Sequence, residues 1–460
     1  MNLDRRKFLQ AAGTAASATL LSSFTHTEPG QLLPGQNKNS FTAPRKNLSI
    51  ILRSSWNDGN IGDQGHTPGM IRLLYQYFPG CSIKVWHIDP RPITEAMVLR
   101  HYPNISFLRG NFFNNGLPMD PVLKQAFDEA DLFMVNSGMS MNFGMFNTDW
   151  AGNMVSLSPL FWCKEHGIPF GVYGQSFDKF LHPSIEVYRN ILSQADFVYC
   201  RESLSLKFLQ ENKFRTPELA FAPDAVFAID VRNEEKGLAY LKEKGLKERK
   251  FLAVVIRTNT PPLANKGNTL NPVHPSPEQQ AEDNARSAKI RDMIIRWTRK
   301  TGMKVLLSPE VDKEIGAAKT LIYDQLPADV QEKTVWRNNF WDVDEATSIY
   351  ARAHTVFGVE PHSLIMALTA GVPIIHAAPI AKGRKYFMFS DIGLPEWLFS
   401  LDESTSEQWL VVLMQNVNDY PAAQAKVARA MKFVRQRQAE TMQYLGRHLK
   451  QPQGNSKASS

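Results

Sequence analysis

The sequence predicts an α/β protein of two Rossmann-like lobes behind an N-terminal export signal, and three observations carry that reading. Short apolar runs alternate with longer amphipathic ones, the pattern of parallel strands covered on both faces by helices. The alternation occurs twice, in two series separated by a helical stretch near residue 234. With 460 residues, 43% of them hydrophobic, the chain is long enough for two domains and a large core.

At the N-terminus, Arg5 and Arg6 precede Lys7-Phe8-Leu9, and a stretch of small and apolar residues follows over 11–21. A charged start leading into a weak apolar run is the pattern of a twin-arginine export signal. The run is too short and too rich in Ala, Thr and Ser for a permanent span, which takes about 20 apolar residues. Residues 1–26 are therefore assigned as the signal and residues 27–46, polar with Pro and Gly, as a linker. The twin-arginine translocase is the expected partner during export, and the periplasm or beyond is the expected location. No stable membrane span is expected in the rest of the chain.

Cys81, Cys163 and Cys200 are three in number and lie in apolar contexts, which points to buried free thiols rather than a disulfide framework. The formal net charge is +7, and seven basic residues fall within 423–450 against Glu440 alone. That stretch also carries Val427, Met431, Val434, Leu445 and Leu449 at helical spacing. It reads as a C-terminal helix packed by an apolar stripe with a solvated basic face. Nothing else points to nucleic acid.

In the first lobe, 47–230, strands are expected at 48–53, 83–88, 105–108, 132–136, 170–174 and 197–200. Helices are expected at 69–77, 121–129, 185–192 and 204–211. The second lobe, 231–422, opens with a helix at 234–244. Its strands are expected at 251–256, 304–307, 335–336, 355–359 and 374–376, and its helices at 287–300 and 363–370. The polar, Pro- and Asn-rich stretch 257–286 is long for a structureless loop and is expected to form a lid over an interlobe cleft. Residues 451–460 read as a disordered tail. Zinc-type spacings, a G-x-S-x-G elbow and a P-loop are absent, and no metal ligand is assigned.

The turn after the first strand, Asn57-Asp58-Gly59-Asn60-Ile61-Gly62-Asp63-Gln64, opens a helix and leaves backbone N–H groups free for an anion or a sugar hydroxyl. Its Asn60-x-Gly62-Asp63 is similar to the N-terminal signature of the polysaccharide pyruvyltransferase family, and further resemblances follow in order. They are Asp131-Leu-Phe-Met-Val-Asn-Ser-Gly138, Gly174-Gln175-Ser176, Asp196 with Arg201-Glu202-Ser203, and Pro223-Asp224-Ala225-Val226-Phe227, in which proline and aspartate are inverted. Arg257, His362, Gly371-Val-Pro373 and Lys382 complete the set, which covers about residues 48–400.

The resemblance implies a fold like the two-lobed glycosyltransferase B architecture. It also implies transfer of an enolpyruvyl unit from phosphoenolpyruvate onto two sugar hydroxyls of a glycan, with no cofactor. That chemistry needs cations for the donor and groups that move protons. Arg201, Arg257 and Lys382 are the candidate clamps, His362 is the candidate acid–base, and Asn60, Gly62, Asp63 and Gln175 are candidate substrate contacts. His66 beside the turn could face the same cleft.

One departure matters, because the family usually has arginine two residues before this histidine and here the triplet is Glu360-Pro361-His362. A carboxylate beside an anionic donor costs about 4 kcal/mol at 4 Å and an effective dielectric of 20. Two alternatives therefore stand beside transfer: a hydrolase that removes pyruvate ketals using Glu360 and His362, and a non-catalytic carbohydrate-binding protein. For the export signal the expected outcome is definite: replacing Arg5 and Arg6 together by lysine holds the precursor in the cytoplasm, as read by cell fractionation.

Overall fold

The computed structural model describes residues 48–54, 57–112, 120–144, 149–259 and 275–449. The expected signal, linker and C-terminal tail lie outside the described residues, as does the stretch 260–274 of the expected lid. Among the described residues no helix is long and apolar enough to cross a membrane.

Two parallel sheets organise the chain. The first contains β1 (Ser49–Arg53), β2 (Ser82–Trp86), β3 (Ser106–Leu108), β4 (Leu132–Gly138), β5 (Phe170–Gln175), β6 (Phe197–Cys200) and β7 (Leu219–Phe221), in the order β3-β2-β1-β4-β5-β6-β7. The second contains β8 (Phe251–Val255), β9 (Lys304–Leu307), β10 (Thr334–Trp336), β11 (Thr355–Gly358), β12 (Ile374–Ala378) and β13 (Leu398–Ser400), in the order β10-β9-β8-β11-β12-β13. Every pairing is parallel, so each strand is reached through a crossover and both faces are covered. The order reverses between β1 and β4 in one sheet and between β8 and β11 in the other. At such a switch point the loops at the carboxyl ends part and leave a crevice.

The expected strands are present within one or two residues, and β6 and β9 fall where expected. Three departures have physical causes. The helix expected at 69–77 begins at Ile61, because Asn60 caps it and its first turns are packed by Gly62, Gly65 and Gly69 rather than by an apolar stripe. A Cβ at Gly69 would come within 2.2 Å of the Ala225 carbonyl oxygen, so glycine lets this helix lie directly on the segment after β7. Within the expected lid, a helix already runs over Pro277–Thr301, started by a capping box in which Ser276 and Gln279 exchange hydrogen bonds. Helices Pro92–His101 and Trp150–His166 have no clear apolar period and were not expected.

The larger core cluster runs through both lobes and the smaller one fills the outer face of the first sheet. The C-terminal helix, Tyr420–His448, buries Val427, Met431, Val434 and Leu445 as its stripe requires, with Leu449 just beyond its end. It returns to the first lobe, where Arg437 donates to the Phe221 carbonyl at 2.7 Å and Thr441 bonds the Tyr173 hydroxyl at 3.1 Å. Cys81, Cys163 and Cys200 are buried and free, and burial raises the pKa of each, that of Cys81 to about 11.

A second connection between the lobes runs through residues 384–391. Arg384 donates to the Phe177 and Asp178 carbonyls at 3.0 and 2.7 Å, and Asp391 accepts from the Ser203 amide and hydroxyl, both at 2.7 Å. Ser203 thus ties the lobes together instead of capping its own helix. Burial raises the Asp391 pKa to about 6, against the lowering effect of the Ser203 bonds. The folded state therefore binds this proton more tightly than the unfolded chain, and the resulting stability is full below about pH 4 and lost as pH rises through about 6. Asp391→Asn keeps a donor and an acceptor for Ser203 and removes the ionisation. Its unfolding free energy, measured by denaturant titration, should gain about 1–2 kcal/mol on wild type between pH 4 and 7.

Candidate active site

The turn leaving β1 is shaped by its own polar side chains. Asn57 accepts from the Gly59 amide at 2.9 Å, and Asn60 accepts from the amides of Gly62 and Asp63 at 2.8 and 3.4 Å. This is an N-cap: it satisfies helix-start donors that a plain turn would leave open. The turn lies against the loop after β9. Ile61 donates to the Glu310 carbonyl, and Asp312 donates to the Gly59 carbonyl, both at 2.9 Å. Gly62 is demanded by the other lobe, since a Cβ there would come within 2.3 Å of His362 Nδ1. Asn60 and Gly62 therefore shape and pack the site, with the Asn60 carboxamide oxygen engaged by its own helix.

His362 is the second residue of the helix Pro361–Thr369, which follows β11 and has proline at its first position. Its Nδ1 lies 3.3 Å from Glu310 Oε1, and its Nε2 lies 3.1 Å from His66 Nε2 and 3.8 Å from Asp224 Oδ2. Glu310 is held by the Ser363 amide and hydroxyl, at 2.8 and 2.7 Å. Asp224 takes the Val226 amide at 2.9 Å and the Ser137 hydroxyl at 3.2 Å on Oδ1, and Arg201 Nη1 at 2.7 Å on Oδ2. Ser137 holds a left-handed φ of 54°, uncommon outside glycine, and its bond to Asp224 helps fix that conformation.

The charge states follow from these neighbours. Burial would lower the His362 pKa, but its contacts with Asp224 and Glu310 prevail and raise it to about 9. Burial lowers His66 to about 3 despite Asp224. For Asp224, burial acts upward, yet the two histidines and Arg201 hold it well below the usual carboxylate range. A protonated and a neutral imidazole therefore face each other, a separation of donor and acceptor within one pair. Burial raises Asp63 to about 6, opposed by His362.

A second charged group adjoins the first. Glu360 lies 3.0 Å from Lys385 Nζ and 3.6 Å from Arg257 Nε, and Arg257 also approaches Glu314 at 3.8 Å. Burial would raise the Glu360 pKa, but Lys385 and Arg257 bring it down to about 2. The negative charge that the sequence places two residues before His362 is thus compensated by two cations.

The expected residues separate into three sets. Asn60, Gly62, Asp63, His362, Glu360 and Arg257 come together at the carboxyl ends of β1, β8 and β11. Arg201 is buried at the end of β6, with Nε on the Ser176 hydroxyl at 2.7 Å, and reaches the cluster through Asp224. Gln175, fully buried, donates to the Ser176 carbonyl at 3.2 Å, and its Oε1 has no partner among the described residues. Lys382 stands apart, exposed and held by Asn259 and Glu282. Glu310 and Lys385 were not anticipated: Glu310 is signalled only by its place after an apolar strand, and Lys385 by nothing local.

A profile of the family described as polysaccharide pyruvyl transferase matches residues 60–379. Among curated proteins no sequence matches significantly. Similar solved structures include MnaA of S. aureus with UDP, at 10% identity and TM-score 0.54, covering 87% of this chain and 97% of that one. UDP-GlcNAc 2-epimerase from Neisseria meningitidis bound to UDP-GlcNAc is similar at 9% identity and TM-score 0.52, covering 87% and 99%. HepE of Anabaena in complex with UDP-glucose is similar at 10% identity and TM-score 0.52, covering 87% and 98%. These likenesses establish the two-lobed fold of glycosyltransferase B enzymes and sugar-nucleotide epimerases.

The contact between Gly62 and His362 is directly testable. Gly62→Ala forces the imidazole or the turn to move, and overpacking of this kind costs about 1–3 kcal/mol. Denaturant unfolding of the variant should show that loss, while Gly316→Ala, where a Cβ meets nothing within 4 Å, should not.

Proposed function

We propose a reaction for a chain that belongs to the polysaccharide pyruvyl transferase family: transfer of a pyruvyl unit onto a glycan to form a cyclic ketal. The donor is phosphoenolpyruvate. Its C2 becomes bonded to two sugar oxygens, phosphate leaves, and the methylene carbon gains a proton to become methyl. The observation that carries this reading is the buried His362 cluster, set against the Asn60-x-Gly62-Asp63 turn with Arg257 and Lys385 beside it. His362, between Glu310 and Asp224, is the group for moving a proton. Arg257 and Lys385 are the cations for the donor's carboxylate and phosphate.

The twin-arginine pattern of Arg5 and Arg6 supports an exported or cell-surface glycan as the substrate. A second reading is favoured by Glu360, which occupies the two cations with a carboxylate of the chain itself. In that reading the same site hydrolyses a ketal: water adds, pyruvate leaves and two hydroxyls are restored, with no phosphorylated donor.

Incubating the mature protein with acceptor glycan and phosphoenolpyruvate should release phosphate and add pyruvate to the glycan. Pyruvate released from a pyruvylated glycan without donor would replace transfer by hydrolysis, and neither product would remove both readings. Under the transfer reading, His362→Gln should lower kcat by about 10²–10⁴-fold. Glu360→Gln should tighten phosphoenolpyruvate binding about tenfold or more, measured by calorimetric titration at fixed ionic strength.

A further inference from the structure

We propose that His66, Asp224 and His362 form a binding site for one divalent first-row transition-metal ion, of which Zn²⁺ fits best. The three residues come from distant segments, with 296 positions separating the histidines, so no sequence spacing betrays them. Their facing atoms, His66 Nε2, His362 Nε2 and Asp224 Oδ2, are spaced 3.1, 3.7 and 3.8 Å apart. A point equidistant from all three lies about 2.1 Å from each, inside the roughly 2.0–2.2 Å range of zinc bonds to imidazole and carboxylate. Two imidazoles and one carboxylate with a further position open is the donor set of catalytic zinc sites.

The surroundings fit as well. His362 carries a carboxylate on its far nitrogen, Glu310 at 3.3 Å, and Glu310 is itself fixed by Ser363. Such a carboxylate–histidine arrangement orients an imidazole for a metal. Asp224 is oriented by Val226, Ser137 and Arg201, and the Arg201 bond leaves Oδ2 a second lone pair for the ion. His66 and Asp224 are 1% and 0% exposed and His362 is 6% exposed, so His362 is the member of the three nearest to solvent. The ion and the His362 Nε2 proton exclude each other. A metal-loaded chain would therefore lose His362 as a proton donor, a consequence that rests on the reading given above, whereas the binding does not.

The test uses the full mature chain, stripped with a chelator and titrated with Co²⁺, whose visible ligand-field bands report low-coordinate sites. One equivalent should bind with those bands, and Zn²⁺ should displace it. His66→Gln should weaken binding by about 100-fold or more, Glu310→Gln by about 10–100-fold, and exposed His166→Gln should change nothing. Circular dichroism and thermal unfolding establish that each variant is folded; if His66→Gln does not fold, Glu310→Gln decides. Failure of the wild-type chain to take up one equivalent, or equal binding by folded variants, would overturn the proposal. Either result leaves the pyruvyl reading to its own assay, because no glycan or donor is present here.

Discussion

Asp224 is the constraint around which the rest of the site is arranged. A carboxylate removed from water is tolerable only when cations and donors surround it, because an uncompensated buried charge costs several kcal/mol. Arg201 and His66 approach Asp224 from the first lobe and His362 from the second. Glu310, on the second lobe, adds a further negative charge that His362 shares. Two carboxylates, one guanidinium and one imidazolium balance within a few ångströms. Separating the lobes would break that balance, so the closed arrangement and the protonation of His362 support each other.

The same constraint explains residues that carry no charge. His362 can reach Asp224 only if the helix beginning at Ile61 comes close, which is why position 62 has no side chain. That helix must in turn rest on the segment holding Asp224, and Gly69 permits the approach to Ala225. Asn60 caps the helix where its first residue, Ile61, donates to the Glu310 carbonyl. The Asn60-x-Gly62-Asp63 pattern is therefore a packing solution as much as a binding one: asparagine caps, glycine admits the histidine, and aspartate contributes the partly buried carboxyl.

Much of the fold was legible because buried parallel strands are nearly continuous apolar runs, as in Phe197–Cys200 and Lys304–Leu307. What escaped lacked that signature. β7 and β13 are three-residue edge strands of intermediate burial, and the helix Trp150–His166 mixes polar and aromatic residues around Pro159. At the site, residues in motifs at strand ends, such as Asn60, Arg257 and His362, were legible. Glu310 and Lys385 owe their roles to contacts across long separations and stand in no recognisable pattern. Lys382 shows the reverse failure: its spacing fits the family, yet Asn259 and Glu282 occupy its ammonium.

Glu360 shows why a charge reversal cannot be judged from its position alone. Considered by itself, a carboxylate two residues before His362 repels an anionic donor. In the structure it neutralises Arg257 and Lys385, which would otherwise be two half-buried cations repelling each other. The repulsion is thereby exchanged for competition. Any anion that uses Arg257 and Lys385 must displace Glu360, and breaking a buried pair by leaving one partner uncompensated costs about 3–5 kcal/mol. A ligand carrying both a carboxylate and a phosphate could offset that cost by pairing with both cations at once, whereas a singly charged ligand could not. Under the proposed function Glu360 would thus set a threshold on the charge of a ligand that pairs with Arg257 and Lys385.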